Sequence, residues 1–165
     1  MRPLWTWGTG TALLTLMAGA CWLLVGCERF VPPAGAQPMI IGGHEFLLEL
    51  ALDEADQIRG LSGRDHIEPN GGMLFVFNRA QERQFWMRGC RVPIDIIFLD
   101  DGARIVAMHE MQPPPARSDD PLRTYPSIWP ARFAIELAGG TLRGLNLHNG
   151  QKLDLPGTVL KPGVR

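Results

Sequence analysis

Hydrophobic and polar positions alternate over short spans along most of the chain, the signature of strands rather than long helices. Ile40-Ile41, then Gly42-Gly43, then His44 to Leu52 predict a strand pair around a glycine turn. Asp53 is placed to N-cap a short helix with Glu54 and Asp56 in its first turn, Ile58 and Leu61 facing inward, and Gly60 and Gly63 ending it. Met73 to Phe77 is an unbroken apolar run between Gly71-Gly72 and Asn78, which predicts a buried strand. Gln84 to Met87 predicts another. Ile94 to Leu99 and Ala103 to Met111 flank Asp100-Asp101-Gly102, a hairpin signal. Gln112 to Ser127 is rich in proline and polar residues and reads as a long loop. Arg132 to Leu137 predicts a strand and Thr141 the cap of one helical turn. Asn149-Gly150 predicts a turn into a last strand with Leu153 and Leu155 inward.

The N-terminus departs from this pattern. Arg2 is followed by an apolar stretch that is uncharged from Leu13 to Val25, and Leu24-Val25-Gly26-Cys27 has the form of a lipobox. The expectation is a lipoprotein signal peptide over 1–26, with Cys27 lipidated. Leu4 to Val25 is also long enough for a membrane span, at roughly 20 residues, but a lipobox ends the run where processing would occur. Cys21 is a weaker lipidation site, because Ala18 stands where the aliphatic residue belongs. Residues 27–38 then read as a lipid-anchored flexible tether, with Pro32, Pro33, Gly35 and Pro38. A single β-rich domain follows over 39–157, and a C-terminal tail over 158–165. Localisation would be the cell envelope, in a periplasm-type compartment, with membrane attachment through lipid.

Composition narrows the functional classes. All 17 acidic residues lie after Cys27, with fifteen of the 16 basic ones, so the exported part is near neutral and lacks a basic stripe for nucleic acid. With Cys21 removed and Cys27 lipidated, Cys90 has no intrachain partner, and no structural disulfide is expected.

Five ordered motifs carry a family resemblance. They are Gly60-Leu61-Ser62-Gly63-Arg64, Gly72-Met73-Leu74-Phe75-Val76-Phe77, Phe85-Trp86-Met87, Pro93-Ile94-Asp95-Ile96-Ile97-Phe98 and Ile135-Glu136-Leu137-Ala138-Gly139-Gly140. The chain resembles domain of unknown function 192, over roughly Phe46 to Leu155. The resemblance implies a compact, mainly β fold, a sandwich or flattened barrel with one or two short helices. It implies no particular reaction. That family usually has a basic residue and an Asn-Thr pair after the Trp-Met pair; here Arg88 is followed by Gly89-Cys90.

Asp95 is the most informative polar residue. Its strand is apolar on both faces, so its carboxylate needs a partner. Arg64, Arg88 or Arg91 is the expected one, with backbone N–H groups at a loop as the alternative. Glu136 sits in a similar strand. A two-residue hairpin loop would set Asp95 opposite Met108 and His109 opposite Ile94, on different faces, which excludes an Asp95–His109 dyad. The candidate site is a ligand pocket around Arg64, Trp86, Met87 and Asp95, with Glu136 as a further candidate. No catalytic residue is assigned and no cofactor is expected. The leading expectation is a non-enzymatic binding module for a small molecule or envelope component. A hydrolase using Asp95 with a basic partner is the alternative. A soft-metal (copper) site from Cys90, His109, Met87, Met108 and Met111 is the third reading.

Overall fold

The computed structural model describes residues 33–115 and 123–159. The leader, residues 27–32 of the tether with Cys27, residues 116–122 of the expected long loop, and residues 160–165 lie outside the described residues.

The fold is mainly β. Strands β1 (Gln37–Ile41), β2 (His44–Ala51), β3 (Gly71–Gln81), β5 (Ile94–Leu99), β6 (Ile105–Met111) and β8 (Ala131–Ala138) form one sheet. Their order is β1-β2-β3-β8-β5-β6. The β2–β3 pair is parallel and the others are antiparallel. Strands β1 and β6 are its two ends, so the sheet is open rather than a closed barrel. A separate ribbon pairs β4 (Gln84–Trp86) with β7 (Thr124–Pro126).

Most local expectations hold. The Gly42-Gly43 turn joins β1 to β2, although β1 begins at Gln37, inside the stretch read as tether. Asp53 caps helix α1 (Glu54–Arg59) by accepting from the Asp56 N–H at 2.8 Å. Leu61 is buried as expected, but Ile58 is 71 % exposed. The helix ends at Arg59 and the chain turns at Gly60, φ 50°, so Leu61 does not share a helical face with Ile58. Gln112 to Ser127 is not all loop: β7 lies within it, held by main-chain pairing that its proline-rich composition hides. Thr141 opens a 3-10 turn, but its Oγ1 donates to the Ala138 carbonyl and caps nothing. Leu153 and Leu155 are buried without a full strand, since only Arg104 and Lys152 form a bridge there. The packed chain continues past residue 157, because Val159 is buried too.

Both faces of the sheet are cored, which explains why β3 and β5 lack polar alternation. One face carries Leu74, Ile97, Leu99, Ile135 and Leu137, sealed by Leu145, Leu153, Leu155 and Val159. The other carries Met73, Phe75, Phe77, Ile96 and Phe98. The crossover through α1, which brings Leu61 and Ile67, and the β4–β7 ribbon, which brings Tyr125, cover this second face.

Candidate functional site: a cleft over Glu136

The two covering pieces of the second face leave a gap between them. The floor is Phe75, Phe77 and Glu136, from β3 and β8. One wall runs from Gln57 to Ser62 in the crossover, and the other from Arg83 to Trp86 at β4. The cavity volume is about 170 Å³. Phe85 sets the depth, packing edge-on against Phe75 at 5.2 Å and Phe98 at 5.3 Å between centroids. Trp86 is 50 % exposed and stands at the rim.

Glu136 is the polar centre. It is 6 % exposed, and its Oε2 accepts the Leu61 N–H at 3.1 Å. Burial pushes its carboxyl up to about 7; the Leu61 N–H and the Arg64 charge oppose this without overcoming it. Arg64 is half-buried and committed elsewhere, with both terminal nitrogens on Glu49 at 2.6 and 2.8 Å. Gly60 makes the close approach to Glu136 possible. It has φ 50°, and a Cβ there would lie 3.0 Å from Glu136 Oε2 and 3.3 Å from Phe75 Cζ.

Arg83, which the sequence did not single out, is the second polar element. Its guanidinium lies 3.8 Å above the Phe77 ring centroid, and its Nη2 donates to the Arg79 carbonyl at 2.8 Å. Its Nε is buried without a hydrogen-bond partner among the described residues. Burial, and then neighbouring Arg79, lower its pKa from the usual arginine value. The backbone of Arg83 is pinned by Ser127: N–H to Ser127 Oγ at 3.0 Å, and the Ser127 N–H to its carbonyl at 2.9 Å.

Asp95 is on the other face of the sheet. Its cross-strand partners are Leu137 and Glu110, whereas Glu136 faces Ile96. The pocket expected around Arg64, Trp86, Met87 and Asp95 therefore divides. Trp86 and Glu136 line the cleft, Arg64 acts on Glu136 by its charge, Met87 is buried in the core beneath this face, and Asp95 is remote. The expected arginine partner for Asp95 is also corrected. Asp95 Oδ2 accepts the Leu142 N–H at 2.8 Å, and the Gly140 N–H also favours the charged carboxylate. Burial raises its pKa, and those two groups hold the rise back. Gly140, at φ 88°, turns the chain so that the start of the 3-10 turn can point N–H groups at the carboxylate. Arg143 of that turn pairs with Glu110 above it.

The hairpin register differs from the expected one by two residues. Asp95 faces Glu110 and His109 faces Ile96, because the turn closes from Asp100 to Arg104 and a bulge follows Phe98. A two-residue shift preserves the faces, so Asp95 and His109 remain on opposite sides. His109 packs between Phe98 and Tyr125 and shares a hydrogen bond with the Pro126 carbonyl at 2.7 Å. Cys90 is half-buried, 3.6 Å from Ser62 Oγ, and burial raises its thiol pKa. Met87 and Met111 are in the core of the second face, whereas Met108 packs on the first. Among the described residues no three His, Cys, Asp or Glu side chains gather as a metal site.

The architecture and the motifs of the strands that build the cleft define one family. The model of DUF192, described as an uncharacterized ACR, matches residues 38–155. The chain belongs to this family. Two solved structures are similar to it. One is a protein of unknown function from Novosphingobium aromaticivorans DSM 12444, 28 % identical, with TM-score 0.66, covering 76 % of this chain and 91 % of the other. The second is a candidate transcription regulator from Sinorhizobium meliloti 1021, 27 % identical, with TM-score 0.61, covering 71 % and 89 %. None of the curated proteins matches the chain.

Proposed function

We propose that the chain is a lipid-anchored binding module of the cell envelope, which holds a small molecule in the Glu136 cleft. One observation carries the reading: a buried carboxyl with no salt-bridge partner among the described residues forms the floor of an aromatic-walled cavity open to solvent. Ligand sites combine apolar walls with a few convergent polar groups in this way. The envelope assignment rests on the lipobox-like Leu24 to Cys27 and the proline-rich segment after it. The regulator name of the Sinorhizobium meliloti protein has no counterpart in charge here, since the residues after Cys27 are near neutral.

A second reading is favoured by one feature. A carboxyl with pKa about 7 in a cleft is suited to general acid–base work near neutral pH. Asp95 supports catalysis less, because backbone N–H groups occupy it and it is 1 % exposed. Native mass measurement of the protein drawn from its own envelope tests the reading. A stoichiometric small molecule, lost in Trp86→Ala, supports binding. A mixture of an unchanged compound and its cleavage product would favour catalysis, and empty protein would count against both. Cys27→Ser is expected to abolish lipid labelling and leave the leader uncleaved by the lipoprotein pathway. Labelling that persists unchanged would remove Cys27 as the anchor, and labelling that moves to Cys21 would relocate it.

A further inference from the structure

Taking the cleft as the ligand site, we propose that its ligand is a small apolar carboxylic acid, with one ring or a short chain, whose carboxylate is received by Arg83 beside Glu136. Size is the first argument. A cavity of about 170 Å³ is close to the roughly 150 Å³ that accommodates benzene in an apolar protein interior. Phe75, Phe77, Phe85 and Trp86 offer ring faces and edges to such a body.

The unpartnered Nε of Arg83 is the second argument. A buried N–H without an acceptor is rare and destabilising. Arg83 lines the cleft, so a ligand carboxylate that displaces the atoms covering its guanidinium supplies the acceptor, in the geometry to which arginine is suited. A hydrocarbon or an ammonium group supplies none. The face of Phe77 already carries the Arg83 guanidinium, which removes it as a platform for a ligand cation.

Charge is the third argument. Arg59 and Arg83 are the cations of the lining and Glu136 is its one carboxyl. The groups acting on Glu136 are the Leu61 N–H and Arg64 from the crossover, with the Cys90 thiol coupled to it from the loop after β4. Arg64 is held by Glu49 and does not close on it. Glu136 can therefore take a proton and donate it in a hydrogen bond to a ligand oxygen. Two carboxylates in one small site do not both ionise, so binding takes up a proton and weakens as pH rises through the Glu136 titration.

The test is calorimetric titration of the full chain with phenylacetate, 2-phenylethanol and 2-phenylethylamine, in wild type and Arg83→Gln, after thermal melts show that both are folded. Phenylacetate is expected to bind at least about tenfold more tightly than the alcohol at about pH 6 and to weaken about tenfold by about pH 8. Arg83→Gln should remove the advantage of the acid and retain the alcohol. Equal binding of acid and alcohol would overturn the carboxylate assignment and leave the cleft as a ligand site. Preference for the amine would overturn it in favour of an anionic Glu136. Failure of all three to bind would overturn the cleft itself.

Discussion

Asp95 and Glu136 are buried carboxylates on neighbouring strands, β5 and β8, yet they face opposite sides of one sheet. The difference between them lies in what covers each face. Over Asp95 the chain lays down the turn from Thr141 to Gly144, which brings backbone N–H groups to the carboxylate. The C-terminal segment packs Leu153, Leu155 and Val159 onto that face. Over Glu136 the crossover and the β4–β7 ribbon meet imperfectly, leaving one N–H and a cavity. A buried carboxylate held by the backbone of a turn is a clamp that joins two parts of the fold. One that floors a cavity, with Arg64 held away on Glu49, is available for a ligand or a proton.

Removal of the clamp is expected to have the largest effect. Asp95→Ala leaves backbone donors of the 3-10 turn unpaired, and each costs about 1–3 kcal/mol when it stays dry. A loss of about 2–4 kcal/mol in denaturant unfolding is expected, with ligand affinity of the folded fraction unchanged. Loss of affinity at normal stability would mean that the two faces are not separable.

Glu136→Gln is expected to act in the opposite direction. The folded protein binds the Glu136 proton more tightly than the unfolded chain does, because burial raises the carboxyl from 4.5 to about 7. Its contribution is therefore fully present at acid pH and is lost as pH rises from about 4.5 through 7. The glutamine variant should lose that slope and gain on the order of 2–3 kcal/mol over wild type above pH 7, and its ligand binding should no longer weaken as pH rises. Melting profiles against pH check this. A variant less stable than wild type at every pH would make Glu136 a second clamp.

The smallest effect belongs to Glu49→Gln. Its pair with Arg64 is partly solvent-exposed, so the direct loss should be about 0.5 kcal/mol. The informative readout is the Glu136 titration, which should move down once Arg64 is free to turn toward it. An unmoved titration would show that Glu49 does not hold Arg64 away.

Much of the fold was legible because burial on both faces leaves a strong mark: Met73 to Phe77 and Ile94 to Leu99 are too uniformly apolar to be surface strands. Asp95 and Glu136 stood out as polar interruptions in such strands. What they touch was not legible. The Asp95 donors are main-chain groups, which have no letter in a sequence, so arginine was the natural expectation and the wrong one. Arg83 looked like any polar residue before a strand. Its place under the cleft depends on β7, hidden in the proline-rich segment, and on Ser127, which is fully buried 44 positions away. The hairpin turn was misjudged in length because Ala103 adopts φ 60°, a conformation that its residue type does not announce. The division of candidate residues between two faces follows from strand parity; the cleft follows from how the covering segments pack.

The central claim is that Glu136 lacks the partner Asp95 has. Carbon-detected NMR titration of the Glu136 side-chain carboxyl, in the ligand-free full chain, tests it most directly. The structure predicts a midpoint near 7, and a midpoint at or below the ordinary value of 4.5 would contradict it by showing a carboxylate already held by a cation or by further hydrogen bonds.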